Sequence, residues 1–363
     1  GLEEYAMREK SWPKGSLFFL LFVLFLLFLL LLNAPVAMDG VRHGLSLVCE
    51  TLLPSLFPFL VFSELLVRLD AGRLFSVVLG KSCRFLFGLS DAGTAAYFLG
   101  VLCGFPVGTV CALTLYRKNE ISKEELTRLC LFGGNPSSGF LIGAVGEGLF
   151  GNRNAGIFLF FSLLLSNAVI GILLHLAGGT PPSKGKMTHC GGNVNAGDLT
   201  ASVKNAFFTF LTVAAFVLFF SGITGCFTAL CTRLKLSENL LVTLCGMLEM
   251  TAGISAAVTA FPPFIAFLFC AFFAGFGGLS VALQLFAVLE EEKIRMSAYL
   301  LAKFGAGVLS LLSARLYLFW RQPFLSSDQS AFASFGATPI LLGVGILLCV
   351  LSLFAFFKRK SAA

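Results

Sequence analysis

Residues 126–148 read LTRLCLFGGNPSSGFLIGAVGEG, a segment of membrane length that is interrupted at its centre by Asn135 and Pro136. About 20 apolar residues cross the hydrocarbon of a bilayer as one helix, but proline lacks the amide proton that a helix interior needs. Irregular backbone at membrane depth is tolerated only where it is buried in protein or lines a cavity. The segment therefore predicts a membrane protein in which interrupted helices surround a site.

The composition supports a bilayer environment for the whole chain. Hydrophobic residues make up 57% and charged residues 12% of the 363 residues, and the mean hydropathy is +0.90. Soluble domains carry about 25% charged residues, so this composition excludes a soluble enzyme, a nucleic-acid-binding protein and a secreted disulfide scaffold. The lipid bilayer is the first partner that the sequence predicts.

The sequence gives no pattern for a metal, a cofactor or enzymatic catalysis. The 11 cysteines are scattered through apolar runs without a CxxC pair, and His189-Cys190 has no partner at metal-ligand spacing. The other two histidines, His43 and His175, lie at segment ends, and no Ser/His/Asp arrangement is visible. We therefore expect no cofactor, no metal site and no enzyme.

The chain begins with one predicted helix and continues through ten further apolar segments. Ser16 to Leu32 is an uninterrupted apolar run behind basic residues, which predicts an uncleaved first helix with its N-terminal side in the cytoplasm. Pro54 and Pro58 are expected to interrupt the next segment, and the sequence leaves open whether 44–67 and 205–228 are re-entrant hairpins or full spans. The further segments of membrane length are 44–67, 74–89, 94–116, 126–148, 154–177, 205–228, 240–258, 262–288, 296–318 and 336–357.

Basic loops predict the sidedness of these segments. The loops at 117–125 and 178–204 are rich in lysine and arginine, so the positive-inside rule places both in the cytoplasm. The basic tail Lys358-Arg359-Lys360 should lie there too, but the count of segments places it on the opposite side. Either one of the later segments is miscounted or the tail is an exception.

A weak internal repeat divides the chain into two halves. At an offset of 171 residues, Gly104-Phe105-Pro106-Val107-Gly108 aligns with Gly275-Phe276-Gly277-Gly278-Leu279, and the second copy is inverted in the segment count. Inverted repeats with broken helices are typical of secondary transporters. The predicted parts are an N-terminal segment with the first helix (1–43), a first repeat (44–177), a cytoplasmic loop (178–204), a second repeat (205–320) and a last helix with a basic tail (321–363).

Polar and ionisable residues inside apolar segments are the candidates for a site. Asn135, Ser137 and Ser138 favour a helix start within the membrane, whose free amides suit a carboxylate. Glu249 has two interpretations: it is either a proton-coupling carboxylate or one partner of a structural pair with Arg84 or Lys303. An ionisable residue is costly in a membrane, which makes each of these a site candidate: Glu64, Arg84, Glu147, Glu249, Lys303 and Arg315.

Five motifs in order resemble those of the YlbJ (SpoVV) sporulation integral membrane proteins, from about residue 45 to residue 320. They are Leu53-Pro54-Ser55-Leu56-Phe57-Pro58-Phe59, Gly104-Phe105-Pro106-Val107-Gly108, Asn135-Pro136-Ser137-Ser138-Gly139-Phe140, Glu249-Met250-Thr251-Ala252-Gly253 and Gly275-Phe276-Gly277-Gly278-Leu279-Ser280-Val281-Ala282-Leu283-Gln284. The resemblance implies a nucleoside recognition (Gate) domain, similar to part of the concentrative nucleoside transporters, with paired re-entrant hairpins. It also implies a role in spore maturation, in which dipicolinic acid crosses the outer forespore membrane.

The sequence thus predicts an all-α, polytopic membrane protein with two inverted repeats and broken or re-entrant helices, acting as a permease of a small anionic solute. Dipicolinic acid is the favoured solute; a nucleoside or nucleobase transporter and a non-transporting scaffold of a spore-maturation complex are the alternatives. The sequence leaves open a homo-oligomer or sporulation membrane partners. Arg84 is the predicted anion partner, and the predicted solute-binding residues are Asn135, Ser137, Ser138, Glu249, Thr251, Ser280, Gln284 and Arg84.

Overall fold

The computed structural model describes residues 14–69, 71–178, 196–289, 292 and 294–321, in which all regular structure is helical. The predicted last helix, the basic tail, His189-Cys190 and most of the loop at 178–204 lie outside the described residues. The first half contains α1 (Lys14–Leu32), α2 (Ala34–Ser46), a π-helical segment (Leu47–Leu52), α3 (Leu53–Arg68), α4 (Gly72–Phe87), α5 (Asp91–Cys103), α6 (Val107–Arg117), α7 (Lys123–Phe132), a second π-helical segment (Gly139–Leu149) and α8 (Arg153–Leu176). The second half contains α9 (Ala196–Arg233), α10 (Glu238–Leu248), α11 (Met250–Ala260), α12 (Pro263–Phe276), α13 (Gly278–Leu289) and α14 (Met296–Arg321).

Several of these helices are long enough to cross a membrane, which confirms the polytopic all-α fold. Within the described part of the chain, five stretches qualify by length and composition: Ala34–Arg68, Arg153–Leu176, Gly197–Arg233, Pro263–Leu289 and Met296–Phe319. The open question about 44–67 and 205–228 is answered, because both lie within continuous helical stretches.

The expectation that Pro54 and Pro58 interrupt their segment is wrong. Pro54 falls in the first turn of α3, directly after the π-helical segment, and Pro58 lies inside α3. Proline is tolerated within a membrane helix where local π-type adjustments satisfy the freed backbone groups, and the π-helical segment lies directly before Pro54.

The predicted span 74–89 is α4, and it does not continue in the direction of its neighbour. α4 and α5 are bent by 98° at Gly88–Ser90. One face of α4 packs on the protein, while Leu74, Val78 and Phe85 on another face are exposed. α4 and α5 are therefore two helices of different direction and do not form one straight span.

Two pairs of short helices form hairpins, and both had been predicted as full spans. A Cβ added at Gly253 would overlap the Cα of Gly246, and a Cβ added at Gly108 would lie 2.5 Å from the Cα of Gly100. In one straight helix, residues seven or eight apart are separated by about 10 Å. The chain therefore reverses between α5 and α6 and again between α10 and α11, so the predicted spans 94–116 and 240–258 are re-entrant hairpins.

The second hairpin resolves the conflict in the segment count. With 240–258 as a hairpin, α9, the α12–α13 unit and α14 are the crossings that follow the cytoplasmic loop at 178–204. Adding the predicted helix at 336–357 makes the number of crossings even. With 240–258 counted as a hairpin and 336–357 kept as a predicted span, the count places the basic tail on the side that the positive-inside rule predicts.

Each hairpin is followed by a broken helix. α7, the irregular stretch 133–138 and the second π-helical segment run antiparallel to α8, because Gly171 packs on Phe132 and Gly156 packs on Ile142 and Gly146. The second broken helix is α12–α13, which is interrupted at Gly277 and Gly278. Their φ angles of +81° and +78° lie in the left-handed region, which glycine adopts without steric cost.

The two halves are inverted repeats, but their correspondence differs from the predicted one. α8 and α14 follow the broken helices of their repeats, and they are antiparallel, since Phe158 stacks on Tyr317 with 4.0 Å between ring centroids and Ser162 Oγ lies 3.3 Å from Ser310 Oγ. Equivalent helices that run in opposite directions define an inverted repeat.

The structural offset is about 143 residues, as the starts of α8 at Arg153 and of α14 at Met296 show. The predicted offset of 171 is wrong, because it aligns the tip of the first hairpin, Gly104 to Pro106, with Gly275 to Gly277 at the break of the second broken helix. Tips and breaks both require glycine, and this shared requirement produced the false match.

The hairpins depend on close glycine contacts, so a methyl group there should destabilise the fold. We expect Gly253→Ala to lower the free energy of unfolding by about 1–3 kcal/mol, because the new Cβ overlaps the backbone of Gly246. SDS titration of the purified protein measures this change. Gly143→Ala is the matched control, since its Cβ would lie 3.6 Å from the Cβ of Ser55, an ordinary contact. Equal stability of the two variants would contradict the hairpin packing.

Candidate functional site

A cavity lies where the hairpin tips approach the breaks of the two broken helices. It contains about 690 Å³ of empty space including its mouth, and both repeats contribute to its wall. Apolar residues make most of the wall, among them Phe105 at the first hairpin tip and Phe276 at the second break. The polar residues of the wall are Asn135, Ser137, Glu249, Thr251, Gln284, Tyr299 and Lys303.

The first break is held by the tip of the first hairpin. The amide of Phe105 donates to the carbonyl of Asn135 at 2.7 Å, and a Cβ added at Gly104 would lie 2.5 Å from the nitrogen of Ser137. Ser137 Oγ accepts the amide of Phe140 at 3.1 Å. A helical segment therefore begins inside the protein with a serine that caps it, in agreement with the sequence pattern.

Asn135 presents an unpaired side chain at this break. The residue is 1% exposed, and neither Nδ2 nor Oδ1 has a hydrogen-bond partner among the described residues. A buried amide without partners costs free energy, about 1–3 kcal/mol for each unsatisfied group. The residue lines the cavity, and its two polar atoms have no partner among the described residues that an entering molecule would have to displace.

Lys303 brings a cation from α14 to the first break. Its Nζ donates to the carbonyl of Gly134 and to Asn167 Oδ1, the latter at 3.2 Å, and the residue is 3% exposed. α7 ends just before Gly134, and the carboxyl end of a helix attracts a positive charge. A lysine of the second repeat thus stabilises the broken helix of the first.

Glu249 occupies the tip of the second hairpin. Oε1 accepts the amide of Thr251 at 3.0 Å and Oε2 accepts the amide of Ala252 at 2.6 Å. The carboxylate therefore caps the amino end of α11, where the helix dipole favours a negative charge. The predicted ion pair is wrong, because Arg84 pairs with Asp91 and Lys303 donates to neutral oxygens, whereas proton coupling by Glu249 stays a prediction.

The structure brings five of the eight predicted site residues to the cavity wall: Asn135, Ser137, Glu249, Thr251 and Gln284. Ser280 lies behind the wall, where its Oγ accepts Gln284 Nε2 at 3.2 Å. Ser138 is half-buried and does not belong to the wall.

Arg84 lies apart from the cavity wall, on α4. Its Nη2 forms an ion pair with Asp91 Oδ1 at 3.1 Å, and the Arg84 side chain is 55% exposed. Lys303 holds the position at the cavity that the sequence interpretation gave to Arg84.

Two polar wall residues are absent from the predicted set, Tyr299 and Lys303. They are four residues apart on α14 and hence share one helix face. Lys303 is among the ionisable residues that are costly in a membrane, and this cost is the sequence signal that identifies it as a site candidate. Tyr299 carries no comparable signal in an apolar helix. Among the described wall residues, Glu249 and Lys303 are the ones that carry a formal charge.

The fold and the cavity define a polytopic membrane protein with two inverted repeats, each built from a re-entrant hairpin and a broken helix. The chain is similar to the sporulation integral membrane protein YlbJ of Bacillus subtilis (strain 168), with 27% identity over 370 residues that cover 87% of this chain and 89% of that protein. The resemblance to the YlbJ family that the motifs indicate is thereby confirmed. No family model matches the chain, and no solved structure matches it.

The capping role of Glu249 predicts an effect on stability. Glu249→Ala should lower the free energy of unfolding by about 1–2 kcal/mol, because two amides of α11 lose their acceptor. SDS titration measures the change, and Glu249→Gln should be milder because one side-chain oxygen is kept. Glu147→Ala is the control, since Glu147 is exposed at the end of its helical segment. An unchanged free energy in Glu249→Ala would refute the cap.

Proposed function

We propose that the protein is a permease for a small anionic solute, and that this solute is dipicolinic acid during sporulation. The single observation that carries the proposal is Lys303, a buried cation in the wall of a cavity between two inverted repeats. A positive charge at membrane depth is expensive, and residues of this kind mark solute and ion pathways. The carboxylate of a solute is the natural partner for such an ammonium group.

The architecture supports transport over a purely structural role. In secondary transporters, inverted repeats meet near the midplane and interrupted helices line the solute site, so that rocking of one repeat against the other alternates access. Here both hairpin tips and both breaks lie at one cavity. The similarity to a sporulation integral membrane protein supports the biological setting, and the outer forespore membrane is the proposed location.

The proposed activity moves the solute without changing it covalently, so the protein is not proposed to be an enzyme. The likeness of the fold to the Gate domain of concentrative nucleoside transporters stays a prediction from the motifs. The driving force is assigned to solute or ion gradients, or to a partner protein in the same membrane.

A nucleoside or nucleobase is the second candidate solute, and one observation favours it. The free amide of Asn135 and the amide of Gln284 in the same wall present donors and acceptors of the kind that base edges require. This candidate gives no role to the ammonium of Lys303, which is why the anionic solute is preferred.

Uptake into proteoliposomes tests the proposal. Purified protein should accumulate labelled dipicolinate in preference to labelled uridine. Lys303→Gln should reduce dipicolinate uptake at least tenfold, because an ion pair in a desolvated site is worth more than about 1.4 kcal/mol. Arg84→Gln is the matched control: it removes one positive charge outside the cavity and should leave uptake near the wild-type rate.

Three results would count against the anion permease. Uridine uptake without dipicolinate uptake would support the nucleoside candidate. An equal loss of dipicolinate uptake in Lys303→Gln and Arg84→Gln would show that the overall charge of the protein, and not the cavity, controls uptake. If neither solute moves under a proton, sodium or zero gradient, a scaffold role becomes the better account, and substitutions of exposed loop residues should then abolish sporulation where Lys303→Gln does not.

A further inference from the structure

The charges of the cavity wall restrict the charge of its solute. Lys303 is the one cation among the described wall residues, and the Glu249 carboxylate faces the same space. A solute with two carboxylates would place one of them opposite Lys303 and leave the other without a cation among the described wall residues. In a desolvated site an uncompensated charge costs several kcal/mol. A monoanion avoids this cost.

Asn135 supplies the partner for the second end of the solute. Its Oδ1 accepts and its Nδ2 donates, and both atoms are buried without partners at the cavity wall. A side-chain amide in this state pairs best with a planar group that offers one donor and one acceptor side by side. A protonated carboxylic acid and a primary amide are such groups, whereas an ionised carboxylate offers acceptors alone.

The two recognition elements lie next to each other. Lys303 Nζ contacts the carbonyl of Gly134, the residue directly before Asn135. Both residues line the same cavity, so a small ring with two polar substituents is the simplest molecule that would contact both of them. The aromatic side chains of Phe105 and Phe276 in the same wall suit the flat faces of such a ring.

We infer that the permeant species is a planar monoanion, held by its carboxylate at Lys303 and by an adjacent donor–acceptor group at Asn135. This inference rests on the proposed function. For dipicolinic acid the bound form is the hydrogen dipicolinate ion, with one carboxylate ionised and the other protonated. One proton then crosses the membrane on the solute itself, without a titrating carboxylate of the protein.

Binding at one fixed, neutral pH tests the inference with three probes. The monoamide of dipicolinic acid is a fixed monoanion with an adjacent donor and acceptor, picolinate is a monoanion without the second group, and dipicolinate is mostly a dianion. Wild-type protein in detergent should bind the monoamide about tenfold more tightly than picolinate, as expected for two hydrogen bonds of about 0.5–1.5 kcal/mol each. It should also bind the monoamide more tightly than dipicolinate.

Asn135→Leu keeps the approximate size of the side chain and removes both polar atoms. It should abolish the preference for the monoamide while leaving picolinate binding within about twofold, because the Lys303 contact is unchanged. Lys303→Gln should instead weaken both monoanions by similar factors. The control is Asn205→Leu, which changes an exposed asparagine on α9 that contacts Glu64 at 3.4 Å and should preserve the preference.

The outcomes separate the inference from the proposed function. If wild-type protein binds picolinate as tightly as the monoamide, or if Asn135→Leu keeps the preference, the inference is overturned while the permease proposal stands on its dependence on Lys303. Because the first of these comparisons uses wild-type protein alone, a variant that fails to fold does not remove the test. If wild-type protein binds none of the three probes and transports no dipicolinate, both fall together.

Discussion

Every peptide group that is not in a helix at membrane depth must find a partner within the protein, and the structure depends on how this requirement is met. Each repeat contains two interruptions, a hairpin tip and a helix break. In the first repeat the tip meets the break directly, since Phe105 donates its amide to the carbonyl of Asn135. In the second, Gly278 lies against the tip, where a Cβ would come within 3.2 Å of the Leu248 carbonyl and the Met250 amide. Each repeat thus brings its two irregular stretches together, away from lipid.

Glycine is what permits these approaches. Gly100 and Gly108 in the first hairpin, and Gly246 and Gly253 in the second, let antiparallel helices touch through their backbones. Helices in lipid associate through such close packing, because lipid tails are as apolar as the side chains between them. The tips can then reach far enough into the protein to meet the breaks. The cavity is the space left where these rigid ends converge from both repeats.

The sequence shows the interruptions but not their geometry. Asn135 and Pro136 identify the first break, and the composition identifies the membrane. Hydropathy does not distinguish a hairpin from a span, however, since α10 and α11 together have the length and apolar character of one crossing helix. The same limit explains the false offset of 171, because a tip and a break present the same glycine-rich pattern.

The same limit separates the site residues that the sequence identifies from those that it misses. Asn135 and Ser137, next to a visible break, and Glu249, an ionisable residue in an apolar segment, are brought to the cavity as predicted. Arg84 was favoured as the anion partner because arginine suits carboxylates, yet Asp91 lies seven residues further along the chain and pairs with it. Lys303 comes to the cavity from a helix of the other repeat. That long-range contact is a property of the three-dimensional arrangement, and no local pattern encodes it.

The two charges of the cavity are each stabilised by the end of a helix instead of by each other. Glu249 caps the amino end of α11, and Lys303 lies at the carboxyl end of α7 with neutral oxygens as its acceptors. An ion pair between them would hold both charges in a strong mutual bond that a solute would have to break. Carbonyl and amide oxygens are weaker partners for an ammonium than a carboxylate is. For the proposed permease, this arrangement keeps Lys303 stable in the empty protein and still able to exchange its acceptors for the carboxylate of a solute.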